Sequence, residues 1–299
     1  MELRNYREER RRSRREEQAL DNSPLVSIVV PTYREEANLR PLVTRIAAAM
    51  ESADHECEIL VVDDDSRDGT DIAVQELAER YPVRLITRTG PRDLSLAVLE
   101  GLRQARGQIL LVMDADLSHP PEQIPELLKA LNQPPTDFVI GSRYMPGGHT
   151  EEGWGVFRRL NSLAATLLCR PLVGRVTDPM AGFFALRRDT LVNADPLDPI
   201  GYKIGLELIC RCRCRHVREV PICFANRTCG QSKLNLDQQS RYLVHLGRLY
   251  RSYSRGWGLV IRPILAVMRA GIAVVEYLRS SRPDVVASIS VAVHKNRAA

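Results

Sequence analysis

Four short, mostly apolar runs, at residues 25–30, 58–62, 83–87 and 109–113, alternate with segments of helical period at 39–50, 71–80 and 95–105. This alternation constrains the fold more than any other feature of the 299-residue chain. Runs this short and this rich in Val, Ile and Leu suit strands buried on both faces. Strands that alternate with helices predict βαβ units and a parallel sheet covered by helices. Right-handed crossovers place the carboxyl ends of such strands at one edge. Three of the runs lead into residues with chemistry: Pro31-Thr32-Tyr33-Arg34-Glu35, Asp63-Asp64-Asp65 and Asp114-Ala115-Asp116. Far apart in sequence, these stretches are predicted to converge where open sheets of this kind bind ligands.

The pair Asp114/Asp116 is the sharpest element of that edge. Two carboxylates one residue apart supply hard oxygen ligands for Mg2+ or Mn2+, and Ala115 between them lets a ligand approach the backbone. An Asp-x-Asp on its own is more often a solvated turn. Its place beside two other acidic strand ends favours a single nucleotide-and-metal site. Asp64 and Glu35 can bind ribose hydroxyls or a base edge there, and Tyr33 can pack on the base.

The second half of the chain is basic where it is loop-rich. A strand at 137–140 leads into Gly141-Ser142-Arg143-Tyr144, and helices are predicted over 157–169 and 204–214, with a strand at 219–224. Arg143, Arg158, Arg159, Lys203, Arg227 and Lys233 stand at glycine-rich loops and helix starts. As a set they suit phosphate, which Arg grips bidentately. A hydroxyl acceptor needs a general base. A phosphate acceptor, with a second pKa of about 6, is already largely ionised and needs cations instead.

Net charge is +5, which favours an anionic partner weakly. The odd count of seven cysteines argues against a disulfide framework and for a reducing compartment. The first residues are too polar for a secretory leader, so a protein that is not secreted is expected. Residues 1–23, dense in Arg and Glu, read as a charged, flexible arm with at most a weak attraction to anionic headgroups. With Tyr6 alone as an interleaved aromatic, nucleic acid is not an expected partner.

Beyond Arg241 the pattern is helical to about Ser280. Arg262, Ala266, Arg269, Ala273, Glu276 and Ser280 form one narrow stripe opposite a wide apolar face that includes Ile264, Met268 and Ile272. Such a helix packs on the domain or a partner subunit, or lies in a membrane interface. Its charges argue against a spanning segment. Cys210, Cys212, Cys214 and His216 lack the paired spacing of a structural zinc site and read as ordinary thiols. His119 reads equally well as a support for the acidic pair or as a turn residue before Pro120-Pro121.

Taken in order, Val29-Val30-Pro31-Thr32-Tyr33-Arg34-Glu35, Val61-Val62-Asp63-Asp64-Asp65-Ser66-Arg67-Asp68-Gly69-Thr70, Met113-Asp114-Ala115-Asp116-Leu117, Gly141-Ser142-Arg143-Tyr144, Asp178-Pro179-Met180-Ala181-Gly182-Phe183, Gly201-Tyr202-Lys203-Ile204 and Gly230-Gln231-Ser232-Lys233 resemble the family 2 glycosyltransferases, and within them the dolichyl- or polyprenyl-phosphate mannosyltransferases. The resemblance implies a GT-A fold, an α/β architecture whose Rossmann-like, mostly parallel sheet is flanked by helices. The implied domain covers 24–245 and is followed at 246–299 by a helical extension and tail. The implied reaction is inverting transfer from GDP-mannose to a polyprenyl phosphate, at the cytoplasmic side of a membrane, by a peripheral or monotopic enzyme. Carried over by position, Pro31, Tyr33, Glu35, Val62 and Asp64 would contact the nucleoside. Asp114, Ala115 and Asp116 would meet the diphosphate, with Asp114, Asp116 and Ser118 around Mg2+ or Mn2+. Arg143, Lys203, Arg227 and Lys233 would bind donor phosphates or close over the site, and Arg158 and Ser162 would hold the acceptor phosphate. Asp114, Asp116 and Arg143 would carry the catalysis. Two positions depart from the pattern: Ser118 stands where Gln is frequent, and Gln231 where Glu is. A glucosyltransferase using UDP-glucose and an inactive scaffold subunit are the competing readings.

Overall fold

A computed structural model describes residues 26–150, 156–225, 236–253 and 255–281. The charged segment 1–23 lies outside the described residues. The chain runs β1 (Val26–Thr32), α1 (Glu36–Ser52), β2 (Cys57–Asp63), α2 (Thr70–Ala78), β3 (Val83–Thr87), α3 (Leu94–Gln104), β4 (Ile109–Val112), α4 (Ile124–Leu131), β5 (Phe138–Ser142) and β6 (His149–Thr150). It continues with α5 (Val156–Val173), β7 (Phe184–Arg187), α6 (Arg188–Val192), α7 (Ile204–Arg211), β8 (Val217–Pro221), β9 (Cys223–Phe224), α8 (Leu236–Tyr253) and α9 (Arg255–Ser281). Seven strands form one sheet in the order β3-β2-β1-β4-β7-β5-β8. The expected parallel half is there, with Thr32 level with Asp63 and Val29 level with Val112.

Burial explains why the strands read as continuous apolar runs. Every residue of β1 is buried. Ile28 and Val30 enter the core under α1, α2 and α4, and Val29 enters the opposite core under α3 and α7. The sheet is therefore covered on both faces, as parallel sheets require.

Among the elements not expected from the sequence are β7 and α4. β7 is only four residues long and is the one antiparallel strand of the large sheet, inserted between β4 and β5. α4 follows a turn starting at Pro121 and carries Pro125 in its first turn, where a proline costs no helical hydrogen bond. A third element is shorter than expected. α7 stops at Arg211 instead of 214, because the chain turns at Arg213 with φ 53°. Cys210 and Cys214 therefore do not share a helix face.

The C-terminal helices depart from the expected layout. α8 begins at Leu236, and the expected boundary at 245/246 falls inside it. Leu246, Leu249 and Tyr250 of α8 are fully buried in a third core with Cys169 of α5 and Leu206 of α7. The Tyr242 and Tyr250 hydroxyls donate to the carbonyls of Ala165 (2.8 Å) and Leu168 (2.7 Å) on α5. α9 packs through Ile261, Leu265 and Ile272. Among the described residues no helix is long and apolar enough to cross a membrane.

Helix α3 packs closely on the sheet at Gly101. A methyl group there would lie 2.3 Å from a Val29 methyl and 3.0 Å from one of Val62. Gly101→Ala is expected to destabilise the fold by about 1–3 kcal/mol, as overpacking does. A lower urea midpoint with unchanged slope checks this.

Candidate active site

The strand order places the predicted site residues together. The Asp64 amide donates to the Thr32 carbonyl (3.2 Å) and the Met113 amide to that of Val29 (3.1 Å), so the ends of β1, β2 and β4 meet. β7 runs the other way, so the residues that precede it, 178–183, arrive at the same edge. The Gly141 amide, bonded to the Phe183 carbonyl at 2.9 Å, ties in the end of β5.

Asp114 and Asp116 sit in a turn built to hold them. The Asp114 amide donates to His119 Nδ1 at 3.1 Å. That nitrogen is the acceptor, so the ring is neutral with its proton assigned to Nε2. Burial pushes the His119 pKa down and keeps it neutral, against the pull of Asp114 and Asp116. The ring is stacked on Phe183 (5.4 Å) and meets Phe224 edge-on (5.3 Å). His119 thus supports the acidic turn. Leu117 has φ 61°, an uncommon conformation for a bulky side chain. It lets Asp116 Oδ1 accept from the Ser118 amide (3.1 Å) and hydroxyl (2.5 Å). Ser118 is fully buried and spends its hydroxyl proton on Asp116. In the structure Ser118 holds that carboxylate. Ala115 is buried in the core.

Gly182 is pressed against Asp114. A Cβ at this position would lie 3.0 and 3.1 Å from the two carboxylate oxygens. The surrounding chemistry fits a hard divalent cation: two carboxylates, one of them 28% exposed, backed by a neutral imidazole.

The basic residues face this pair with unequal support. Arg143 is clamped by buried Asp178 through Nε (2.7 Å), Nη2 (2.8 Å) and its own amide (3.1 Å). Burial disfavours its charge, and the pairing with Asp178 outweighs that. Asp178 is held in turn by Glu219, which accepts from the amides of Thr177 and Asp178 at 2.9 Å each and from the Thr177 hydroxyl at 2.7 Å. Lys203, at the start of α7, has its pKa pushed down to about 7, by burial first and by the Arg143 charge next. An incoming anion would restore its charge. Gly182, Asp178 and Glu219 were not singled out as site residues. The sequence signals for them were the loop 177–183 and a glutamate in an otherwise apolar strand.

The nucleoside positions are partly rearranged. Tyr33 is at the edge, with the Arg92 guanidinium 3.9 Å from its ring centre. Pro31 and Val62 are buried register partners, Val62 within the α3-side core, so they form the floor beneath the edge. Asp64 is turned inward, its side chain 5% exposed. It accepts from Arg88 and from the Asp93 amide (3.0 Å), which fastens loop 88–93 to β2. Glu35 accepts from Asn38 Nδ2 at 2.6 Å, at the start of α1. Arg158 and Ser162 lie within α5, and their side chains are outside the description. Arg227 and Lys233, with Gln231, lie outside the described residues.

The contact at Gly182 gives a direct test of the acidic turn. Gly182→Ala is expected to displace the Asp114 carboxylate and weaken Mn2+ binding at least about tenfold, a loss of roughly 1.4 kcal/mol. Calorimetric titration with Mn2+ measures it, and an unchanged circular dichroism spectrum excludes unfolding as the cause.

Comparison with known proteins matches the same region. A family model described as glycosyl transferase family 2 covers residues 27–193. A dolichol-phosphate mannosyltransferase of Pyrococcus furiosus is 43% identical over 76% of this chain and 64% of its own length. The chain thus spans under two thirds of that relative. A dolichol-phosphate mannosyltransferase of Mycosarcoma maydis is 43% identical over 77% of this chain and 80% of its own. Among solved structures, mannosyl-3-phosphoglycerate synthase of Rubrobacter xylanophilus superposes with a TM-score of 0.61 at 21% identity, covering 79% of this chain and 76% of that one. Glucosyl-3-phosphoglycerate synthase of Mycobacterium tuberculosis, crystallised with Mn2+, UDP-glucose and phosphoglyceric acid, gives 0.57 at 21% identity, covering 76% and 79%. The structural likeness establishes the GT-A-like fold, and the sequence match establishes the family: this chain belongs to glycosyl transferase family 2.

Proposed function

We propose that the enzyme transfers mannose from GDP-mannose to a polyprenyl phosphate with inversion, at a membrane surface. The observation that carries this reading is the gathering of Asp114, Arg143 and Lys203 at one sheet edge, close enough for their charges to act on one another. The acceptor phosphate oxygen forms a bond to the anomeric carbon as the bond to the leaving diphosphate breaks. The phosphate is ionised already, so no side chain has to take a proton from it. Asp114 and Asp116 are the residues that would hold Mg2+ or Mn2+, which offsets the leaving charge when bound. Arg143, locked by Asp178, offers a fixed cation to the same charge. Lys203 takes up full charge on binding an anion. The names of the relatives support the mannosyl and polyprenyl-phosphate parts, and the Mn2+ in a structural neighbour supports the metal.

The membrane part rests on α9 and α5. Leu259 (78% exposed), Val260, Ile264 and Val267 (72%) line one exposed side of α9, and Leu163 and Leu167 are exposed on α5. A helix with such a face lies well in a lipid interface. The +5 net charge suits the anionic cytoplasmic leaflet.

Two measurements check the proposal. In a donor screen with a short polyprenyl phosphate, GDP-mannose should be turned over in Mn2+ or Mg2+ and EDTA should stop it. Asp116→Ala should lower turnover by about 100-fold or more. Turnover of UDP-glucose alone would overturn the mannosyl reading. In liposome flotation, replacing Leu259, Val260, Ile264 and Val267 together by Ser should release the protein from vesicles. Undiminished flotation would reject α9 as the anchor.

A further inference from the structure

We propose that Arg92 reads the base of the nucleotide donor and selects guanine over uracil. This rests on the nucleotide-sugar reading above and adds a specificity residue that the sequence did not suggest.

The argument begins with the loop between β3 and α3. Residues 88–93 are fixed at both ends. The Arg88 amide donates to the Asp63 carbonyl at 2.8 Å, and the Asp93 amide donates to Asp64 Oδ2 at 3.0 Å. Asp93 then caps α3, accepting from the amides of Ser95 (2.9 Å) and Leu96 (3.2 Å). Ser95 adds a bond from its hydroxyl to the Gly201 carbonyl at 2.6 Å, which joins the loop to the segment that carries Lys203. Arg92 therefore projects from a rigid base toward the end of β1.

There its guanidinium lies 3.9 Å from the centre of the Tyr33 ring, a cation–π contact. Arg92 is exposed, and among the described residues no carboxylate pairs with it. The neighbouring Asp93 is committed to α3 and Asp64 to the loop. The guanidinium therefore stands against the Tyr33 ring at the sheet edge, with that of Arg34 5.3 Å from the same ring centre. A base that packs on Tyr33 enters beside this guanidinium, whose long stem lets the fork swing to the edge of the base.

The chemistry of that edge selects the base. Arg carries only donors, arranged as a planar fork. Guanine presents two adjacent acceptors, N7 and O6, which match the fork. Uracil sets its O4 beside an N–H donor and a C–H, so it accepts one bond and turns a donor toward a donor. Arg92 thus makes a two-bond contact with guanine that uracil cannot return.

The test is calorimetric titration of the full-length protein with GDP and with UDP, each in Mn2+, for the wild type, Arg92→Gln and Arg92→Lys. Both nucleotides carry the same diphosphate and ribose, so their ratio isolates the base. The wild type should prefer GDP. Both variants should lose roughly 5- to 150-fold in GDP affinity and little in UDP affinity, with Lys failing despite its charge. Equal losses for GDP and UDP would assign Arg92 to the phosphates and overturn the inference, as would no loss at all. A wild type that prefers UDP, or binds neither, would overturn the GDP-mannose reading itself and the inference with it. An unchanged melting temperature in the variants shows that folding is intact.

Discussion

The direction of β7 is the constraint on which the site depends. In a purely parallel sheet, the segment entering each strand lies at the edge opposite the ligands. β7 runs against its neighbours, so its entering segment, 178–183, reaches the ligand edge. Asp178 can then lock Arg143 at the end of β5, and Gly182 can lie against Asp114 after β4. One reversed strand thus joins a fixed cation and a fixed anion that the parallel strands alone would leave on separate loops.

The charges at this edge are held by different means. Arg143 is paired and bidentate, so its geometry is set before any ligand arrives, in the way electrostatic preorganisation requires. Lys203 sits among positive and negative neighbours, and burial with the nearby Arg143 charge lowers its pKa to about 7. His119 is kept neutral beside two carboxylates by its burial, and its Nδ1 accepts the Asp114 amide. Pairing a buried charge offsets the desolvation that would otherwise neutralise it. The turn at Leu117 shows a local conformation that propensity alone would avoid, at the place where both carboxylates must be presented.

Much of the first half was legible in the sequence because burial on both faces writes itself as apolar runs. β1, β2, β3 and β4, and the convergence of their ends, follow from that pattern. β7 was not legible, since four residues after a glycine carry too little period to distinguish strand from loop. α8 was cut in two because its buried face includes Tyr242, His245 and Tyr250, residues that periodicity does not count as core. Asp64 and Ser118 have the residue types expected of ligand-binding groups, yet the structure turns both toward the protein. Residue type announces the capacity to hydrogen-bond, and only the neighbours decide who receives it. The family resemblance carries no sign that Arg88 and Asp93 would bond to Asp64.

The contacts of α8 reach further than packing. His245 Nε2 meets Glu207 Oε2 at 2.7 Å, and both side chains are fully buried. Glu207 stands one turn beyond Lys203 on α7, while α8 carries α9 on its other side. The start of α7, next to Lys203, is therefore tied to α8 by a buried hydrogen bond. Displacement of α8 is thereby passed to the start of α7 through a contact that water does not reach.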